Sequence, residues 1–152
     1  MGYRSDVAYK IWFDDEQVRD ACIDLVLANG SEWMIKALKA CEIGREKRYG
    51  TDIPLGVLSF QAEDVKWYDE YDDVEGHTSL IRFATTHLED SCGAYMVRMG
   101  EHDDDVEHDE WGNSELVDND AIYVSRALEV GDVDEAQTYD EWVNKTTTKQ
   151  AA

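Results

Sequence analysis

The sequence predicts an α+β domain: an antiparallel or mixed sheet of about four strands, two to three helices packed on one face, and a loosely ferredoxin-like layout. Three observations predict it. Some short stretches alternate side chains with a period of two, others repeat apolar side chains at helical spacing, and the two kinds follow one another as β-α-(α)-β-α-β-β. A chain of 152 residues fits one domain with a core of its own. In this reading residues 1–131 form that domain. Residues 132–152 form an acidic and then polar C-terminal tail, with its last residues disordered.

The elements follow in order. Val7, Tyr9, Ile11 and Phe13 alternate with Ala8, Lys10 and Trp12, which predicts a strand over residues 6–13. Asp14 or Asp15 caps the next segment, where Val18, Ala21, Cys22, Leu25 and Val26 make an apolar helical stripe that Asn29 and Gly30 end. Ser31 opens a second, shorter helix through about Cys41. The stretch EIGREKRYGTDIPLG reads as a loop and holds Arg45, Lys47, Arg48 and the single proline, Pro54. Leu58, Phe60 and Ala62 alternate in a second strand. Asp72 and Asp73 cap a helix over about residues 74–88, with Val74, Leu80, Ile81, Ala84 and Leu88 inward. CGAYMVRMG predicts a third strand. DNDAIYVSRALEV predicts a last one, paired with the third across an acidic hairpin, and a short helix follows near residues 138–143.

Charge is the loudest feature. The net charge is −21, with 35 acidic side chains against 14 basic ones. Residues 1–50 hold nine acids and eight bases, so nearly all the excess lies beyond residue 50. Between residues 101 and 141 there are sixteen acids and one base, Arg126. Such a surface repels nucleic acids and anionic membranes and steers the protein towards basic partners. A halophile's acidity would coat the whole chain, so the lopsided distribution points to a localised acidic face. No apolar stretch is long enough for a membrane span or a signal peptide. Cys22, Cys41 and Cys92 form no C-x-x-C pair and read as reduced thiols.

The stretch GEHDDDVEHDEWGNSELVDND has the residue types for a metal site at His102 and His108. Ligation, however, needs donors converging on one point, and Val106 interrupts the side the histidines would share. An EF-hand starting at Asp103 fails, because its glycine position falls on His108 and its last acid on Ser114. A two-histidine phosphodiesterase would need a second H-x-T/S beside His77-Thr78-Ser79, and His87-Leu88-Glu89 does not supply it. Both of these histidines are expected on a helix surface. No phosphate-binding glycine loop, G-x-S-x-G or H-E-x-x-H occurs, which argues against a nucleotide-fuelled enzyme; the chain reads more as a binding protein without a cofactor than as an enzyme. The expected partner face is Asp103, Asp104, Asp105, Glu107, Asp109, Glu110, Trp111, Asp118 and Asp120. Trp67 and Tyr71 of VKWYDEYDDV join it, since aromatics beside carboxylates suit arginine or lysine. The competing reading makes these rings inward-packed loop anchors.

Three stretches, MGYRSDV, VKWYDEYDDV and VRMGEHDDD followed by YVSR, resemble a family of small acidic proteins encoded by bacteriophages and prophages. The resemblance covers most of residues 1–128 and implies a phage accessory protein acting in the host cytoplasm. It carries over no catalytic residue. The expected function is therefore an accessory binding protein, a counter-defence inhibitor or nucleic-acid mimic. Its acidic face would occupy a basic site on a host or defence protein, with no direct contact to nucleic acid or membrane. A metal-binding domain or metal-dependent hydrolase using His102 and His108 is the alternative, and a homo-oligomer joined through exposed aromatics is a third.

Overall fold

The computed structural model describes residues 3–102, 104–119, 121–124, 128–130 and 133–151. Its elements are β1 (Ser5–Phe13), α1 (Glu16–Asn29), α2 (Glu32–Ala40), β2 (Glu42–Glu46), β3 (Leu55–Val65), α3 (Asp72–His87), β4 (Cys92–Gly100), β5 (Val106–Gly112), β6 (Ile122–Val124), β7 (Leu128–Val130), β8 (Asp134–Thr138) and α4 (Tyr139–Ala151). Six strands form one sheet in the order β5-β4-β1-β3-β2-β8, and β6 and β7 pair as a separate ribbon. Every pairing is antiparallel. The inner four strands, β4-β1-β3-β2, are joined in β-α-β-β-α-β sequence with α2 as one extra helix.

The central strand explains the core. Val7, Tyr9, Ile11 and Phe13 of β1 are buried under Ile23 and Val26 of α1, Leu38 of α2 and Leu80, Ile81 and Ala84 of α3. Tyr139 and Trp142 of α4 pack on the same cluster. Ala8 and Trp12 point to the other face, where Val57, Tyr95 and Val97 meet Leu116, Val117, Ala121, Ile122, Val130 and Val133. An antiparallel sheet normally leaves one face wet. Here the segment after β5 covers it, which is why β1 is apolar on both sides and why Lys10 is buried there against Glu46 at 3.5 Å. Two helix starts follow the sequence: Asp15 accepts from the Val18 amide at 2.8 Å, and Ser31 accepts from the Met34 amide at 3.2 Å. The start of α3 does not, since Asp72 and Asp73 lie in its first turn behind Tyr71, which makes no side-chain cap. In α3, Gly76 lies against the backbone of Trp33 in α2, where a Cβ would collide, so the two helices approach closely.

Four expectations need correction. Among the described residues the main sheet has six strands rather than about four, and there are four α-helices rather than two to three. The 42–56 stretch is not all loop, since Glu42–Glu46 is β2 with Ile43 and Gly44 buried. A five-residue strand with two buried positions is too short to show an alternation. The partner of β4 across the acidic turn is β5, drawn from the acidic stretch itself, whereas Ile122–Val124 and Leu128–Val130 make the β6–β7 ribbon, with Ile122 and Val130 on the opposite face. Beyond residue 132, Asp134–Thr138 adds β8 to the sheet edge beside β2, and α4 runs from Tyr139 to Ala151, longer than the short helix expected near residues 138–143.

Candidate functional site: an acidic cleft beside a sheet edge

On the helix-covered face, a cleft of about 870 Å³ lies between α3 and the sheet-edge strand β5. Helix α3 contributes Glu75, Thr78 and Arg82, spaced i, i+3 and i+7 on one face. From the edge strand come Glu107, Asp109 and Trp111, which alternate towards the same side because side chains in a strand repeat every two residues. Met96 and Arg98 of β4 make the floor, and Trp67, Tyr68, Asp69 and Glu70 close the end with Tyr3. Two stretches far apart in sequence thus meet at one place.

Six carboxylates and two guanidiniums line the cleft, so the space favours a cation. The carboxylates are not equivalent. Arg98 holds Asp105 at 2.7 Å and Glu107 at 2.9 Å, and it also donates to the Ser5 hydroxyl at 3.0 Å. Tyr3 donates to Asp105 at 2.6 Å, and the Tyr3 amide donates to the Tyr68 hydroxyl at 2.6 Å. The Arg98 hydrogen bond, then that of Tyr3, holds Asp105 below the usual carboxylate range, and Asp105 in turn raises the Tyr3 phenol. Asp105 and Glu107 are therefore committed to the hairpin. Asp69, Glu70, Glu75 and Asp109 are exposed and have no ion pair with a described residue, which leaves them open to a ligand.

The structure divides the sequence-derived partner face. Asp105, Glu107, Asp109, Trp111 and Trp67 line the cleft. Trp67 also packs on the core beside Phe60 and His77, at ring distances of 6.4 Å and 5.5 Å, so it is both anchor and wall. Tyr71 stands edge-on to Tyr68 at 5.1 Å and lines a neighbouring hollow with Trp33, Asp72 and Asp73. Asp104 is exposed on the turn, and Glu110 is exposed on β5, its register placing it opposite Tyr95. Asp118 lies beside Lys47, Arg48 and Tyr49, away from the cleft. Asp103 and Asp120 lie outside the described residues. Sequence reasoning missed Arg98, Tyr3 and the α3 trio. The i, i+3, i+7 polar spacing of Glu75, Thr78 and Arg82 was the available signal, but only the tertiary fold sets it opposite β5.

His102 and His108 do not converge. The His102 ring lies 5.8 Å from that of Tyr3, while His108 is hydrogen-bonded to the Tyr95 hydroxyl. Among the described residues, no three His, Cys, Asp or Glu side chains are grouped so as to hold a metal ion. His77 corrects the surface expectation: it is buried, with Nδ1 at 2.7 Å from the Tyr9 hydroxyl, and burial lowers its pKa to about 4. His87 is exposed. All three cysteines are buried, and burial pushes the Cys22 and Cys41 thiols up to about 12 and Cys92 higher, which suits packing rather than nucleophilic attack. No family model, curated protein or solved structure matches the chain. No helix among the described residues is long and apolar enough to cross a membrane.

Proposed function

We propose that this is a non-enzymatic binding protein whose acidic cleft receives a basic surface of a partner protein. The observation that carries the reading is the meeting of Asp69, Glu70 and Glu75 with Asp109 across one cleft walled by Trp67 and Trp111. Carboxylates give long-range attraction and the indole faces give cation–π contact, the combination that suits arginine or lysine side chains. The inner β-α-β-β-α-β sheet supports the loosely ferredoxin-like reading of the scaffold.

The resemblance to phage-encoded proteins supports a finer form of this reading, in which the partner is a host or defence protein in the bacterial cytoplasm. A basic nucleic-acid-binding site is the natural target, because duplex DNA offers about one phosphate charge per 1.7 Å and a competitor must match that density. Capture from bacterial lysate at low and moderate salt tests the reading. The control is a variant with Asp69→Asn, Glu70→Gln, Glu75→Gln and Asp109→Asn. The wild type retains a basic protein at low salt and releases it as salt rises, while the variant, folded to the same Tm, does not retain it. Equal capture by the variant would overturn the proposal.

A further inference from the structure

The cleft is flanked by β5, and β5 is the last strand of the sheet on that side. Its pairing with β4 is framed by two backbone hydrogen bonds, Gly100 N–H to Asp105 at 2.7 Å and Asn113 N–H to Cys92 at 2.9 Å. Antiparallel partners exchange hydrogen bonds at every second residue. Counting inwards along the register, Glu107, Asp109 and Trp111 bond to β4, so the N–H and C=O groups of Val106, His108 and Glu110 point away from the sheet. None of these groups has a backbone partner among the described residues. The edge is seven residues long, and five of the seven are exposed.

An open edge invites strand addition, and charge is the usual means of preventing it. The charges here are selective rather than general. A second copy pairing through β5 would set Glu107, Asp109 and Glu110 against the same carboxylates, which is repulsive. A strand bearing arginine or lysine at alternate positions meets the opposite condition. Resting on the binding reading above, we infer that β5 recruits an extended basic segment of the partner as a seventh strand, with alternate cationic side chains entering the cleft. Residues on one face of a strand repeat about every 6.6 Å, so one cation reaches Asp109 and the next guanidinium along can lie on Trp111. Main-chain hydrogen bonds hold the segment, and the cleft selects its sequence.

The test uses a synthetic peptide of about eight residues with arginine at alternate positions and valine or threonine between, a length that spans the edge. Two derivatives carry N-methyl groups on one or the other alternate set of amides. Their charge is unchanged, but each blocks hydrogen bonding along one edge of the peptide. Isothermal titration against the full-length protein reads all three. Strand addition requires that one derivative binds about tenfold or more weakly while the other binds like the parent. Replacing Glu110→Pro removes one outward N–H without touching the β4 ladder, and it weakens the parent peptide in the same way. Equal binding of both derivatives, at a salt-sensitive affinity, overturns strand addition and leaves the acidic-cleft reading standing. No binding of the parent peptide overturns strand addition, and if the lysate capture also fails, both fall.

Discussion

At the scale of single residues, charge and burial separate structural groups from available ones. His77 sits between the Phe60 ring at 4.1 Å and the Tyr9 hydroxyl, and its pKa falls from 6.5 to about 4 because the protonated ring would be buried. A histidine held neutral in the fold binds fewer protons than in the unfolded chain. Its contribution to stability is therefore full above pH 6.5 and is lost as pH falls through 6.5 towards 4. Unfolding free energies from denaturant titrations at pH 7 and pH 4.5 should differ through this residue by roughly 2 kcal/mol, and that part of the difference disappears in His77→Gln. Arg98 gives a second residue-level expectation. Arg98→Met frees Asp105 and Glu107 and removes one cation from the cleft. It should lower stability by about 1–2 kcal/mol while binding a cationic peptide more tightly, as thermal unfolding and titration will show.

At the scale of elements, α3 is pinned closely to α2 and carries Glu75, Thr78 and Arg82 along the cleft. Gly76 sets that pin, and the obstacle to a larger residue is the Trp33 backbone rather than a side chain that could swing away. Gly76→Ala gains about 1 kcal/mol of helix propensity but loses more to overpacking, so a net loss of about 1–2 kcal/mol in chemical denaturation is expected. The elements readable from sequence were those the core selects: β1, β3 and β4 are apolar runs buried for five or more successive residues, and α1, α2 and α3 carry apolar stripes. Strands β2, β5 and β8 were missed for a common reason. They are short or exposed, and β5 and β8 lie on the sheet's two edges, so the core does not select their side chains. VEHDEWG reads only as part of a solvated acidic hairpin because its backbone, not its side chains, belongs to the sheet.

At the scale of the molecule, one surface region collects acids that the sequence keeps apart. Asp69, Glu70 and Glu75 precede Asp109 by more than thirty residues, and the order β5-β4-β1 brings the acidic strand round beside α3. Sequence reading identified both acidic stretches and their aromatic companions, but it placed the acidic one as a hairpin between β4 and residues 118–130. The covered second face shows why: Ile122 and Val130 look like strand residues of the main sheet, yet they serve as a lid over Trp12 and Val57. The charge-dense region is thus an edge strand beside a cleft. The most direct measurement is calorimetric titration of the alternating arginine peptide into wild type and into the Asp69→Asn, Glu70→Gln, Glu75→Gln, Asp109→Asn variant, at low and at moderate salt. Binding to wild type that weakens steeply with salt, and is lost in a variant of unchanged Tm, is the expected result. Undiminished affinity in the variant, or no heat with wild type at low salt, would contradict it.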